Sequence, residues 1–478
     1  MRFANSIMKT RVRLLLLFSS IITLFIFYVM YDEKPRSTDT KNDKYYSQKF
    51  KLPTRYKPTK QQYIIHPPSV ERTLPNRSEI IPRDAVWQNV HSTKFKFFIY
   101  SAYLDKRIKS VGPLVRIIGA TKTRKPDTVW CRLWYSDSSK TVSAFVKAIR
   151  ENWNLKYSAV FVLCKLPPDG KQPLSVSIVS HIKDPITNEI LIQMPKATSQ
   201  FKTDIEICVK PLHYYYDRAI QLMEFVELNY LLGIGHFTFY KNTIGPNVDC
   251  VLDRYKKDNL VSILPWQLDM VSKQEIRTEG MFAALNDCLY RNMYKSKFVA
   301  FLDIDEIIVP RQNDTLIQLI NWLNIYQTPA AYSFRNAFFY MQWADDDTLP
   351  IDQNPFHSNL VVLRKTRRKT KLHPHKQRSK YICDPRRIIE VGNHFIWEFL
   401  NPNDGTFYFT PERAILHHYR VCEYGGNDCV TADSTVDRTV YRYRKKLVER
   451  ITNTLGNLDT NCLIEAQANT NETLYFSN

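Results

Sequence analysis

Residues 298–310 read FVAFLDIDEIIVP, and Asp303, Asp305 and Glu306 interrupt what is otherwise an unbroken apolar run. Three carboxylates at the end of a core strand are costly to desolvate unless a cation meets them. Side chains two apart on a strand point the same way, so Asp303 and Asp305 are expected to converge while Ile304 faces the core. Two hard oxygen ligands with an otherwise open shell suit Mg²⁺ or Mn²⁺ shared with a substrate phosphate. Glu306 points to the other side and is expected to fix the loop. A second feature is LRKTRRKTKLHPHKQRSK. Residues 361–387 hold 11 Lys and Arg against Asp384 alone. Such a tract either faces solvent or meets an anion, and the phosphates of a small ligand or an acidic acceptor fit better than nucleic acid. His373 and His375 within it have the look of a metal pair, but in so basic a tract they read as a solvated loop.

The elements that would position these groups follow from periodicity. Between residues 96 and 200, short apolar-aromatic runs (FKFFIYSAYL, LVRIIGATK, TVWCRLWYS, YSAVFVLCKL, LSVSIVS) are separated by Asp, Gly, Pro and Ser, which predicts a small β-rich domain. Cys131 and Cys164 fall within two of those runs and could bridge them, though sequence does not fix the connectivity. From residue 201 to 478, strand-like runs (IEICVKPL, HFTFYKN, LVSILPW, FVAFLDIDE) alternate with helical ones, the signature of an α/β layer with a mostly parallel sheet. In RAIQLMEFVELNYLLG, Asp217 is the expected N-cap and Gly233 the expected C-cap. Ligands of such sheets bind beyond the carboxyl ends of the strands, where strand order reverses, which is where 303–306 would emerge.

The chain of 478 residues carries a formal charge of +20. Residues 1–95 hold 17 Lys and Arg against 7 Asp and Glu, so this segment and 361–387 account for the whole excess. Residues 14–31 contain no charge and end on bulky Tyr28-Val29-Met30-Tyr31, as an uncleaved transmembrane helix would and a signal peptide would not. The expected organisation is a cytoplasmic tail (1–13), an anchor (14–31), a Pro-rich basic stem (32–95), the β-rich domain and the α/β domain. Acceptor sequons at Asn76, Asn313 and Asn471 and nine cysteines suit a lumenal, oxidising address, with one cysteine left over.

Several segments in order, CVKPLHYYYDRAIQLMEFVELNYLLGIGHFTFY (208–240), AALNDCLYR (283–291) with the acid run, RSKYICDP (378–385) and LHHYR (416–420), resemble glycosyltransferase family 92. The pattern departs at Gly280-Met281, where the family has Gly-Gln. The resemblance implies a GT-A-like fold and inverting transfer of galactose from UDP-galactose to a glycan in the Golgi. It implies a divalent metal, Mn²⁺ or Mg²⁺, held on the donor diphosphate by Asp303 and Asp305. His418 then matches the family's third ligand, with His417 or His394 as substitutes, and Arg420 or a member of the basic tract would contact the diphosphate. The acceptor-activating base is expected at Glu398, beside Trp397 in a partly apolar surround, or in Asp345, Asp346 and Asp347, with Asp346 foremost. Other readings are the same fold with a different UDP-sugar, or a glycan-binding protein with an inactive transferase-like domain.

Overall fold

The computed structural model describes residues 63–77, 79–194, 200–348, 360–422, 429–459 and 462. All lie in 51–478, which forms one compact unit. Residues 14–31, the expected anchor, lie outside the described residues, as does Asn471. Among the described residues no helix is long and apolar enough to cross a membrane.

Among the described residues, 88–193 form a β-barrel. Its strands are β1 (Gln88–Asn89), β2 (Phe98–Asp105), β3 (Leu114–Lys122), β4 (Trp130–Trp134), β5 (Ser139–Ala148), β6 (Tyr157–Lys165), β7 (Ser175–Val179) and β8 (Ile190–Gln193). They pair in the order β1-β2-β3-β6-β5-β4-β7-β8, and a parallel contact of β2 with β8 closes the circuit. Closure removes the free sheet edges that invite aggregation. Period-2 alternation divides each strand: Val115 and Ile117 of β3 fill the interior with Val142, Val160 and Val162, while Leu114 and Ile118 face outward. The Cys131–Cys164 disulfide forms as the strand runs suggested.

The barrel's outer face shares one apolar cluster with the α/β layer, joining Tyr100, Tyr103, Ile118 and Phe161 to Trp266, Met281 and Leu285. The β-rich segment is therefore welded to its neighbour. The stem expectation also changes, because the described residues between 63 and 95 pack on the barrel. The Glu71 carboxylate accepts from the Thr141 N–H, Arg77 pairs with Glu189, and Trp87 lies against Tyr100 and Trp266. Composition hid this, since a few anchoring side chains suffice to tie down a polar segment.

The main sheet contains β9 (Thr203–Val209), β10 (His236–Lys241), β11 (Val261–Pro265), β12 (Ser296–Leu302), β14 (Ala331–Phe334), β17 (Lys380–Cys383) and β20 (Thr406–Tyr408). The order is β11-β10-β9-β12-β17-β14-β20, parallel from β11 to β12. Strand order reverses between β9 and β12. Residues 298–302 are buried on both faces, with Phe298, Ala300 and Leu302 in one core and Val299 and Phe301 in the other. Each such large side chain contributes about 1.5–3 kcal/mol. A second sheet orders β13 (Glu306–Pro310), β21 (Ala414–Arg420) and β15 (Asn336–Tyr340) as β13-β21-β15. Small pairs join β16 (Arg367–Lys369) to β22 (Ser434–Val436), and β18 (Ile388–Val391) to β19 (Ile396–Phe399).

Among the described residues five longer helices flank these sheets: α1 (Ala219–Leu231), α2 (Pro246–Lys257), α3 (Met281–Asn292), α4 (Leu316–Asn324) and α5 (Arg444–Gly456). Gly233, at φ 94°, follows α1 as expected. Asp217 does not cap α1. Its carboxylate accepts from Val248 N–H at 2.9 Å and Asn247 Nδ2 at 2.9 Å, capping α2 across the loop. In α3, three consecutive residues tie three elements together. Asn286 clamps the Val391 backbone of β18 with bonds of 3.0 Å in both directions. Asp287, fully buried, accepts from Ser101 and Tyr103 of the barrel and from Tyr240 of the sheet. Cys288 is bonded to Cys208 of β9. Disulfides Cys250–Cys462 and Cys422–Cys429 complete four pairs, and buried Cys383 is the one left over.

Candidate active site

The reversal of strand order at β9/β12 is defined by register. Val209 pairs with Leu302, so the next residues, Lys210 and Asp303, leave the sheet side by side, and Lys210 Nζ lies 2.7 Å from Asp303 Oδ2. Lys380, which opens β17 beside β12, reaches the same oxygen at 3.1 Å and Glu306 Oε2 at 3.2 Å. The cation required by the acids is thus, in this state, a pair of ammonium groups. Burial alone would raise the Asp303 carboxyl, but Lys210 and Lys380 outweigh it and hold it well below the usual range. Burial pushes Glu306 up, with Lys380 opposing. Lys380 is 1% exposed, and the two carboxylates overcome the burial that would otherwise lower its pKa and hold it protonated.

The convergence expected of Asp303 and Asp305 does not arise from strand alternation. β12 stops at Leu302, and 303–305 form a tight turn closed by the Glu306 N–H on Asp303 O at 3.0 Å. Glu306 holds that turn, accepting from Asp303 N–H at 3.1 Å. The two aspartates have separate partners: lysines for Asp303, and His418 Nε2 at 3.1 Å for Asp305. Glu306 links the two halves, since His418 Nδ1 lies 3.3 Å from its Oε1. Register explains this, because His418 of β21 sits directly between Glu306 of β13 and Phe338 of β15. Asn336 Nδ2 adds a contact to His418 Nδ1 at 3.0 Å.

Asp303 Oδ1 is buried without a hydrogen-bond partner. Among the described residues no three His, Cys, Asp or Glu side chains are grouped closely enough to hold a metal ion. Arg420, two residues beyond His418 on the same strand face, places its guanidinium 5.2 Å from the Phe338 ring centre, and Phe338 also packs on His418. Arg378 approaches the same ring at 5.4 Å. Asp303, Asp305, His418 and Arg420 are therefore gathered into one region by two sheets.

Other expected residues lie elsewhere. His417 faces away from His418, stacked on Phe339 at 4.5 Å, and burial lowers it to about 4. His394 stays near the lysines, lowered to about 3 by burial and then by Lys380 and Lys210. His373 packs edge-on against Phe338, whereas His375 lines a shallow depression with Arg335, Tyr408 and Pro411. They are thus not a pair on one ion, and both are lowered to about 4, chiefly by burial.

Neither expected base sits in a setting suited to a base. Glu398 is paired with Lys147 at 2.7 Å and with Arg150, both from the barrel, so its surround is cationic rather than apolar. Asp346 is nearly buried and held by Arg438 at 2.6 Å, Thr366 and Thr348, which keep it well below the ordinary carboxylate value. Asp345 pairs with Lys365 and Arg364, and Asp347 is exposed. The basic tract is likewise largely answered from within: Arg368 by Asp437, Arg386 by Asp384, and Arg387 by Asp404.

Sequence reasoning passed over Lys210 and Lys380. Lys210 had a signal of the same kind as Asp303, a charge directly after a buried strand, in IEICVK. A further group is Glu224 on α1. It lines a cavity of about 10 Å³ with Gln221, Ile304, Asp305 and Tyr419, accepts from Val362 N–H at 2.8 Å, and is pushed up to about 8 by burial.

A parallel sheet whose order reverses above an acid turn, with basic side chains at the strand ends, has the layout in which open α/β sheets place their ligands. The family model of glycosyltransferase family 92 matches residues 203–464, and the chain belongs to that family. Among its relatives is Beta-1,4-galactosyltransferase galt-1 of Caenorhabditis elegans, 25% identical over 374 residues, spanning 76% of this chain and 81% of the relative. Two other proteins of that organism, named as members of family 92, are 23% and 21% identical; the first alignment covers 51% of this chain and 49% of the relative, the second 72% and 67%. Among solved structures, S. aureus TarS 1–349 in complex with UDP-GlcNAc matches at 11% identity and TM-score 0.27, over 54% of this chain and 68% of that one. Glucosyl-3-phosphoglycerate synthase from Mycobacterium tuberculosis, in complex with Mn²⁺ and UDP, matches at 10% and 0.22, over 54% and 82%. Likenesses at these scores carry no argument about this chain.

Proposed function

We propose that the protein is an inverting, GT-A-type hexosyltransferase that moves galactose from UDP-galactose onto a glycan acceptor. The observation that carries this is the acid turn at the strand-order reversal, joined through Glu306 to His418, in a chain of family 92. The donor sugar rests on the kinship with a protein named as a β-1,4-galactosyltransferase.

Asp303, Asp305 and His418 are of the donor types that a hard divalent cation, Mn²⁺ or Mg²⁺, takes, although in this state the three are not grouped closely enough to hold one. Asp305 and His418 are adjacent oxygen and nitrogen donors, and the Asp303 Oδ1 lacks a partner. Those three would hold the ion only by drawing together when the donor binds, and the ion would then supply positive charge against the leaving diphosphate. The chain's own residues add to that charge. Lys210 at the open end of β9, 21% exposed, is free to turn from Asp303 toward a phosphate oxygen, and Arg420 offers a planar guanidinium on the same side as His418. Lys380, buried, keeps the turn in place.

The uncharged stretch 14–31, the sequons and the four disulfides support a single-pass type II protein of the secretory pathway with its catalytic part lumenal. The test is transfer from UDP-galactose to fucosylated and galactosylated oligosaccharides, with Mn²⁺ and with chelator, and with other UDP-sugars in competition. Turnover is expected only with the metal. Loss on the order of 10²–10³-fold is expected in Asp303→Ala and in Asp305→Ala, the scale of removing one preorganised charge-stabilising group. Full activity of the double variant would overturn the reading.

A further inference from the structure

The barrel has no role in the donor site, yet one of its loops reaches toward it. After β5, Arg150 donates to Glu390 Oε1 at 2.8 Å and to Trp397 O at 2.7 Å. The next residue, Glu151, accepts at Oε2 from Asn393 N–H at 2.9 Å and from Trp397 Nε1 at 3.2 Å. Gly392 permits that approach, since a Cβ there would lie 2.3 Å from Glu151 Oε2 and 2.6 Å from Trp397 Nε1. Asn393 Oδ1 in turn accepts from Lys380 at 2.9 Å, and Lys380 holds Asp303. The barrel loop is thus three contacts from the acid turn.

At the tip of that loop stands Trp153, 61% exposed, the one tryptophan among the exposed large hydrophobic side chains of the described residues. Its φ is 57° and that of Asn154 is 56°. A bulky side chain in the left-handed region is strained, and such strain gathers at ligand sites. Arg277, from the segment after β11, lies 4.2 Å over the indole, and Arg124 holds Asn154 Oδ1 at 2.9 Å.

We propose that the Trp153 loop is a carbohydrate subsite that receives the acceptor glycan, a proposal that rests on the transferase reading above and assigns the barrel a part in it. An exposed indole with a guanidinium over the ring and the Asn154 amide next in sequence has the composition that recognises a pyranose: the open part of the ring stacks on the sugar's C–H face and the polar groups reach its hydroxyls. A single aromatic among polar groups lacks the contiguous apolar patch of a protein-docking surface.

The test uses the whole protein and two variants. Glycine accepts positive φ without strain, so Trp153→Gly is expected to melt no lower than wild type. It is expected to raise the acceptor KM on the order of tenfold while leaving the UDP-galactose KM unchanged. Trp153→Phe, which keeps an aromatic face, is expected to recover most of the loss. In parallel, a galactosyl- or fucosyl-terminated oligosaccharide alone is expected to shift indole emission in wild type and not in Trp153→Phe. If wild type transfers no sugar but shows the emission shift, the subsite stands and the enzymatic reading fails. An unchanged acceptor KM in Trp153→Gly, or equal emission shifts in wild type and Trp153→Phe, overturns the subsite.

Discussion

Replacing Lys380 with methionine is expected to destabilise the protein by about 3–5 kcal/mol near neutral pH, the usual effect of removing one partner from a buried ion pair. The ammonium lies between Asp303 and Glu306, and both it and Glu306 are 1% exposed. Methionine retains length and apolar volume, so the loss reports charge rather than a cavity. The pH dependence has a definite sign. The Asp303 carboxyl is depressed in the fold, so its contribution is present above the ordinary carboxylate pKa and disappears as pH falls through the folded value. The variant forfeits part of that contribution and leaves Glu306 less compensated, so the gap between the two proteins should narrow as both are acidified. Urea denaturation at several pH values measures it, and a constant gap would show that Lys380 acts by packing alone.

Glu224→Gln is expected to act in the opposite direction. The Glu224 carboxyl is raised by burial from 4.5 to about 8, so the fold binds its proton more tightly than the unfolded chain does. Stability from this group is intact below the unfolded pKa and is lost progressively as pH rises toward about 8. The full shift corresponds to a penalty on the order of 5 kcal/mol at alkaline pH. Glutamine keeps an oxygen for the Val362 N–H and cannot ionise. The variant should therefore match wild type near pH 5 and exceed it above pH 8, read as the difference in Tm across that range. Equal Tm values at both ends would show that Glu224 ionises without cost, with solvent reaching it through the cavity shared with Asp305.

How legible all this was in the sequence depends on range. The α/β alternation, the β-rich segment and the buried strand 298–302 follow from local periodicity, which the cores enforce residue by residue. Gly233 is equally local, whereas the Cys131–Cys164 pairing, across 33 residues, was open in the sequence and is settled by the barrel. Asp217 is a local signal with a non-local target: a good capping residue was visible, but which helix it caps depends on how the loop folds back. Glu398 and Asp346 failed for the same reason. Each lay in a plausible neighbourhood along the chain, and each is claimed by cations far away in sequence, Lys147 and Arg150 in one case and Arg438 in the other. The basic tract disguised Lys380, whose neighbours face solvent or structural acids while it alone is buried at the acid turn. His418 was separable from His417 only by strand parity, which fixes one toward Glu306 and the other against Phe339.

The central claim is that the turn after β12 receives a nucleotide diphosphate. Calorimetric titration of UDP, with and without Mn²⁺, into wild type, Asp303→Ala and Asp305→Ala tests it most directly. The account predicts that Mn²⁺ strengthens UDP binding to wild type by at least about tenfold, roughly 1.4 kcal/mol, and that both variants lose this gain. The same UDP affinity in all three proteins, with or without the metal, would contradict it.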